Sequence, residues 1–375
     1  MLLLLFFFSS ISFISPSLLP TGEEVDVFNK GDDGYFCYKI PSLLALQSGK
    51  LLAFAEARKQ SCSDFAWTDL VYKVSLDGGR NWSSLYTLYS NSSNSEKVVI
   101  GNAAPVQLRS GKIVVPFCRN NRDVFVMSSS DEGVTWTQPR NISSTARERS
   151  WRWVGTGPPG SLQLSSGRVI TPSYHTLPFT PPEDGELSEG HVMISDDDGD
   201  TWSLGGNWGL HYSSNECQAA ELVSSQGTKE GNKGDHPPFL INSRTLSLSR
   251  MQVYSYDGGE TFTQPYLDHT LSEPFSGCEM SLFSDANNKS LLYFTGPTQP
   301  TPFRFNMTLW KSENEGQDWT DLFVVDKGPS GYSSLNYVPS PENGSSRLAL
   351  LYEKSETFEL VMVPDHLVFV YLLDE

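Results

Sequence analysis

The sequence predicts an all-β fold, a six-bladed β-propeller. Three observations lead there. A short turn motif returns at near-constant spacing, a strand–turn–strand unit occurs six times, and no long segment keeps a helical period. The turn motif reads S-x-D-x-G-x-T-W or a close variant. It stands at Ser75, Asp77, Gly79, Asn81 and Trp82, and again at Ser129, Asp131, Gly133, Thr135 and Trp136. It returns at Ser195, Asp197, Gly199, Thr201 and Trp202, and at Ser255, Asp257, Gly259, Thr261 and Phe262. A degenerate fifth copy is Ser312, Asn314, Gly316, Asp318 and Trp319. The four intervals from Asp77 to Asn314 average about 59 residues. An Asp in a tight turn accepts backbone N–H groups, and Gly takes a backbone angle that other residues resist. The aromatic residue packs between neighbouring sheets. Chemistry at the carboxylate would not need Gly and Trp at fixed offsets, so the motif is a hairpin staple.

The second unit is an apolar strand, a turn and an apolar strand. Its copies are SLLALQSGKLLAFAEAR, APVQLRSGKIVVPFCR, GSLQLSSGRVITPSYH, AAELVSSQ…PPFLINSR with an insertion in the turn, SLFSDANNKSLLYFTG and YVPSPENGSSRLALLYEK. The staple follows the first five, and the chain ends in strand-like FELVMVPDHLVFVYLLDE. A chain of 375 residues would ordinarily suggest two domains. Six stacked units of four strands each make it one body instead. A pair of β-sandwiches would not need the same hairpin six times. The expected organisation is a signal peptide over residues 1–20 and a propeller over 21–375.

Composition narrows the partners. The net charge of −17 excludes a nucleic-acid partner, which needs a basic surface. The N-terminal MLLLLFFFSSISFISPSLLP is short for a membrane span and reads as a secretory signal, with a signal anchor as the alternative. No later segment could span a bilayer. Six N-x-S/T sequons, at Asn81, Asn91, Asn141, Asn288, Asn306 and Asn343, also favour the secretory pathway. The five cysteines are odd in number and form no C-x-x-C pair. A zinc site is therefore unsupported, and at least one thiol is free or paired between chains. No metal or cofactor is expected.

In a propeller, equivalent positions of the repeats converge at one mouth. The second strands end at Arg58, Arg119, Tyr174 and His175, Arg244, the 294–297 segment and Glu353. The first strands begin near Lys39, Gly101 and Asn102, Glu216, Cys278 and Glu279, and Tyr332. A ring this rich in Arg, Lys, Glu and Tyr is costly to assemble unless a ligand binds there.

At these residues the chain resembles the exo-α-sialidases, the lysosomal type most closely. The pieces that carry the resemblance are Tyr38-Lys39-Ile40-Pro41, LLAFAEAR ending at Arg58, Asn215-Glu216-Cys217-Gln218 and INSR ending at Arg244. Phe303-Arg304, GPSGYSS with Tyr332, and Leu351-Tyr352-Glu353 complete the set. The resemblance implies a retaining glycosidase with Tyr332 as nucleophile, Glu216 as its base and Asp64 as acid/base; Asp69 is the rival for the last role. It implies that Arg244 and Arg304 grip the substrate carboxylate and that Arg58 lies near the sugar's 4-position. The third carboxylate-binding arginine is replaced by Lys39, which the resemblance pairs with Glu353. Lys keeps the charge and loses the bidentate fork. Asp64 lies in a polar loop suited to a mobile flap, and its role requires that it start protonated, so activity should be highest in acid.

The implied substrates are sialylated glycoproteins, glycolipids or oligosaccharides, in a lysosomal or secreted protein. A protective protein partner or a homo-oligomer is left open. Because of Lys39, two alternatives stay open as well: a weak or silent sialic-acid-binding propeller, and a propeller glycosidase for another acidic sugar.

Overall fold

A computed structural model describes residues 22–91, 97–177, 187–223, 236–285, 288–339, 346–359 and 362–374. The segment expected to be a signal peptide, the insertion in the fourth unit and the sequon at Asn343 lie outside the described residues.

The described strands form five antiparallel sheets, arranged like propeller blades around one axis. The first sheet runs Cys37–Ala45, Leu51–Arg58, Thr68–Ser75, Tyr86–Tyr89 from the axis outward. Its Leu51–Arg58 strand is buried along its whole length. The strand's first five residues, Leu51 to Ala55, are a continuous apolar run, as expected of a strand covered on both faces, and the charged Glu56 and Arg58 stand at its end. The second and third sheets repeat this order with the inner strand broken in two. The fourth runs Cys217–Glu221, Phe239–Ser243, Ser249–Ser255, Tyr266–Ser272.

The remaining sheet has seven strands. The 20-residue strand Thr320–Pro339 pairs through its first part with Phe305–Ser312 and through its last part with Ser346–Lys354. Val25–Asn29 closes this sheet against His366–Asp374, so both ends of the described chain share one sheet.

The inner strands share an axial cavity of about 380 Å³, lined by stretches around Leu43, Val106, Gly160, Ala219, Leu282 and Leu335. A repeated latch ties neighbouring sheets beside it. Gln107 Oε1 accepts the Gln47 N–H, Gln163 Oε1 accepts the Arg109 N–H, and Glu221 Oε2 accepts the Ser165 N–H. Each acceptor ends one inner strand, and each donor lies in the turn of the preceding unit.

The S-x-D-x-G turns share one hydrogen-bond pattern. In the first, Ser75 Oγ donates to Asp77 Oδ1, Gly79 N–H donates to Ser75 Oγ, and Asn81 N–H donates to Asp77 Oδ1. The same three bonds recur at Ser129, Ser195 and Ser255. At Ser312 the acceptor is Asn314. The aromatic residue packs on another sheet: Trp82 on Phe369, Trp136 on Phe54 and Phe262 on Trp208. Gly79 shows why the glycine is needed. Its φ is +84°, and a Cβ there would meet the Phe369 ring at 2.3 Å. Among the described residues no helix is long and apolar enough to cross a membrane.

Candidate active site

A cavity of about 210 Å³ opens beside Arg58, Asn102, Tyr174, Glu216, Arg244 and Tyr332 of the expected ring, while Lys39 and Glu353 of that ring, and Arg304, do not line it. Its lining includes Arg58, Asp64, Glu216, Arg244 and Tyr332. Tyr332 is 6% exposed, and its Oη donates to Glu216 Oε1 at 2.5 Å. Arg244 Nη1 donates to Tyr332 Oη at 2.9 Å and to Glu216 Oε2 at 2.6 Å. Burial and the Glu216 carboxylate push the Tyr332 phenol well above its ordinary range, while Arg244 and Arg304 pull the other way. A proton acceptor already on the phenol and a guanidinium on the same oxygen are what a nucleophilic tyrosine needs.

Local backbone pairing sets this geometry. Glu216 and Arg244 lie just past the facing ends of neighbouring strands, and their peptides bond directly: Arg244 N–H donates to Glu216 O at 2.8 Å. Arg304 and Lys39 flank the tyrosine ring, 5.3 and 5.8 Å from its centroid. The three expected carboxylate-binding cations therefore surround Tyr332.

Arg58 is 2% exposed. Its Nε and Nη2 donate to Glu56 Oε2, and its Nη1 donates to Asp64 Oδ1 at 2.8 Å and to the Cys62 carbonyl. Most of its donors are thus spent inside the protein. The Asp64 side chain is 66% exposed, which leaves it open to a ligand. Partial desolvation would raise its carboxyl, but Arg58, Lys39 and Arg244 outweigh this and hold it below the usual range. Asp69 is not part of the pocket. It is buried and accepts bonds from Tyr35, Ser90 and Lys59.

Several expectations need correction. Lys39 and Glu353 form no ion pair. The Lys39 ammonium donates to the Met362 carbonyl at 3.3 Å. Glu353 instead accepts two backbone N–H groups, from Ile40 and Tyr332. A disulfide from Cys62 to Cys37 ties the Asp64 loop to the Cys37–Ala45 strand. Arg58 pairs with Asp64 and holds its carboxyl below the ordinary range, so the protonated form that the expected role requires is confined to acid. Arg119 and His175 do not line the pocket; His175 stacks on Trp151, with ring centroids 3.6 Å apart. The odd cysteine number does leave free thiols, as expected: Cys118, Cys217 and Cys278 are free and buried.

Other lining residues escaped sequence reasoning: Glu56, Phe65, Asn121 and Trp153. Glu56 carried a signal, since it shares a strand face with Arg58 two residues on. Its Oε1 accepts the Asn102 N–H, and a Cβ on Gly101 would meet that oxygen at 1.9 Å. Phe65 and Trp153 meet edge to face across the mouth, 6.0 Å apart.

The family model for the BNR repeat-like domain matches residues 49–341. The chain belongs to the sialidase family. It is 26% identical to Sialidase-2 of Cricetulus griseus, over 92% of this chain and 95% of that protein. Among solved structures it is similar to the Hadza microbial sialidase Hz136, with a TM-score of 0.76 and 22% identity, over 93% of this chain and 68% of that one. It is also similar to a Trypanosoma rangeli sialidase in complex with 2,3-difluorosialic acid, described as a covalent intermediate. There the TM-score is 0.72 at 19% identity, over 95% of this chain and 59% of that one. These structural likenesses speak to the fold. The resemblance to the lysosomal type rests on the residue motifs alone.

Proposed function

We propose that this sialidase-family chain is a retaining exo-α-sialidase that removes terminal sialic acid from glycoproteins, glycolipids or oligosaccharides. The observation that carries the reading is the 2.5 Å bond from Tyr332 Oη to Glu216, with Arg244 on both groups. Sialidases with a tyrosine nucleophile are an established exception to the two-carboxylate scheme of glycosidases. The electrostatic reason is direct. The anomeric carbon of sialic acid carries a carboxylate, which repels an anionic nucleophile and admits a neutral phenol.

In the first step Tyr332 Oη bonds to the anomeric carbon as the glycosidic bond breaks. Glu216 takes the phenol proton, and Asp64 gives its proton to the leaving oxygen. In the second step Asp64 takes a proton from water, which attacks the anomeric carbon as its bond to Tyr332 Oη breaks, and Glu216 returns the proton to the departing phenolate. Two displacements give retention. Arg244 and Arg304 grip the carboxylate, with Lys39 as the third cation, and Arg58 borders the far side of the sugar.

We also read the seven-stranded sheet as two blades sharing the long strand, which makes six in all, and the S-x-D-x-G turns as Asp boxes. Residues 21–375 are then one propeller behind a signal peptide. The Cys37–Cys62 disulfide and the exposed Asn141 and Asn288 sequons suit the secretory pathway, and we place the protein in the lysosome or outside the cell.

A second reading, a weak sialic-acid binder, is favoured by one observation: the Lys39 ammonium is engaged by a backbone carbonyl. Free sialic acid released from a model sialoside by wild type, Tyr332→Phe and Asp64→Ala decides between them. The enzyme reading expects a large loss in both variants. Binding without turnover in wild type supports the second reading, and equal rates in all three refute the mechanism.

A further inference from the structure

Tyr332 sits at a β-bulge. The pairing of Thr320–Pro339 with Ser346–Lys354 slips between Ser330 and Ser333. A bulge re-aims a side chain but leaves backbone groups out of the ladder, and buried N–H groups need acceptors. Here buried carboxyls supply them. Tyr332 N–H donates to Glu353 Oε2 at 3.3 Å, and Ser333 N–H donates to Glu279 Oε2 at 2.9 Å. The second oxygen of Glu353 accepts the Ile40 N–H at 3.0 Å, inside another bulge where Ile40 has φ of +57°. Glu353 is thus committed at both oxygens. Glu279 is not: it is 1% exposed, and among the described residues its Oε1 has no hydrogen-bond partner.

Resting on the reading of Tyr332 as nucleophile, we propose that Glu279 is a positioning residue that holds the Ser333 N–H and so fixes the aim of Tyr332 Oη. What the site needs from it is one uncharged acceptor oxygen. A buried carboxylate with no cation of its own would be very costly. Arg250 forms no ion pair with it: its Nε and Nη1 go to Asn242, Glu273 and the Cys278 carbonyl, and its Nη2 has no hydrogen-bond partner among the described residues. Burial pushes the Glu279 carboxyl well above the ordinary carboxylate range; the Ser333 N–H and Arg250 oppose this, and Glu216 and Glu353 add to it. Burial therefore favours its protonated form, in which Oε2 still accepts the Ser333 N–H. A glutamine offers the same carbonyl oxygen in the same place.

The test compares Glu279→Gln with Glu279→Met, which keeps the length and removes the acceptor. The Gln variant should keep kcat within about threefold of wild type. The Met variant should lose about 10²-fold in kcat, the scale of an ångström-sized misplacement, with KM changed less than about threefold. Crystal structures give a readout independent of turnover. The Tyr332–Glu216 separation should stay near 2.5 Å in the Gln variant and lengthen in the Met variant. A Met variant with wild-type kcat and an unmoved Tyr332, or a Gln variant as impaired as Met, overturns the proposal. A wild type without sialosidase turnover, together with a displaced Tyr332 in the Met variant, overturns the nucleophile reading and leaves the positioning role standing. If the Met variant does not fold, Glu279→Ala takes its place. If neither folds, the Gln variant decides, because a loss there contradicts an uncharged acceptor.

Discussion

The Cys37–Cys62 disulfide should matter for stability and turnover together, and a Cys37→Ala/Cys62→Ala double variant separates the two effects. The bond lies across a sequence separation of 25 residues. For a loop of that length, chain entropy assigns about 3.5 kcal/mol of stabilisation. Unfolding entropy is about 2.1 cal/mol/K per residue, so over roughly 350 residues this corresponds to a drop in Tm of about 5 °C. The functional effect follows from position. Cys62 stands two residues before Asp64, and its carbonyl receives an Arg58 donor. Without the tether the proposed general acid should lose its alignment with the leaving oxygen, and kcat at saturating sialoside should fall by about tenfold or more. Thermal unfolding and steady-state kinetics on the purified variant provide both numbers. A Tm within about 1 °C of wild type with unchanged kcat would refute both the tether and its role.

Three further outcomes are expected. Arg58 holds the Asp64 carboxyl below the usual range, and the proposed general acid is its protonated form. That form is depleted as pH rises through the lowered pKa. kcat/KM should therefore fall about tenfold per pH unit, starting below the ordinary Asp value of about 3.9; a profile flat up to neutral pH contradicts the role. Gly101→Ala should drive a Cβ into Glu56 Oε1, disturb the Glu56–Arg58 pair and cost about 1–3 kcal/mol in urea unfolding. A neutral result would mean that Glu56 can move freely. Lys39→Arg should restore a fork and tighten a sialic-acid-like inhibitor by about tenfold in Kd, as one added charge-assisted hydrogen bond would; unchanged or weaker binding would place Lys39 outside the carboxylate grip.

The propeller-like arrangement was legible because its signals are local and repeated. A turn residue at a fixed offset reports its own hydrogen bonds, as Asp77 and Ser75 do. The registry of strand ends then brought Glu216, Arg244 and Tyr332 to one mouth. It failed where a side chain's direction depends on something the period does not encode. Arg119 and Arg58 end equivalent strands, yet only Arg58 is turned inward, because Glu56 on the same strand face holds it. The Lys39–Glu353 pairing was read from family analogy. The bulges at Ile40 and Tyr332 left two N–H groups in need of acceptors, and these took the carboxylate first. Phe65, Asn121 and Trp153 come from loops between strands, whose paths no repeat specifies.

The central claim is that Tyr332 forms a covalent bond to the sugar. Incubation with 2,3-difluorosialic acid, followed by proteolysis and mass spectrometry, tests it directly. A single adduct on the peptide bearing Tyr332, absent from Tyr332→Phe, is the predicted result. An adduct on Glu216 or another residue, or turnover of sialosides undiminished in Tyr332→Phe, would contradict it.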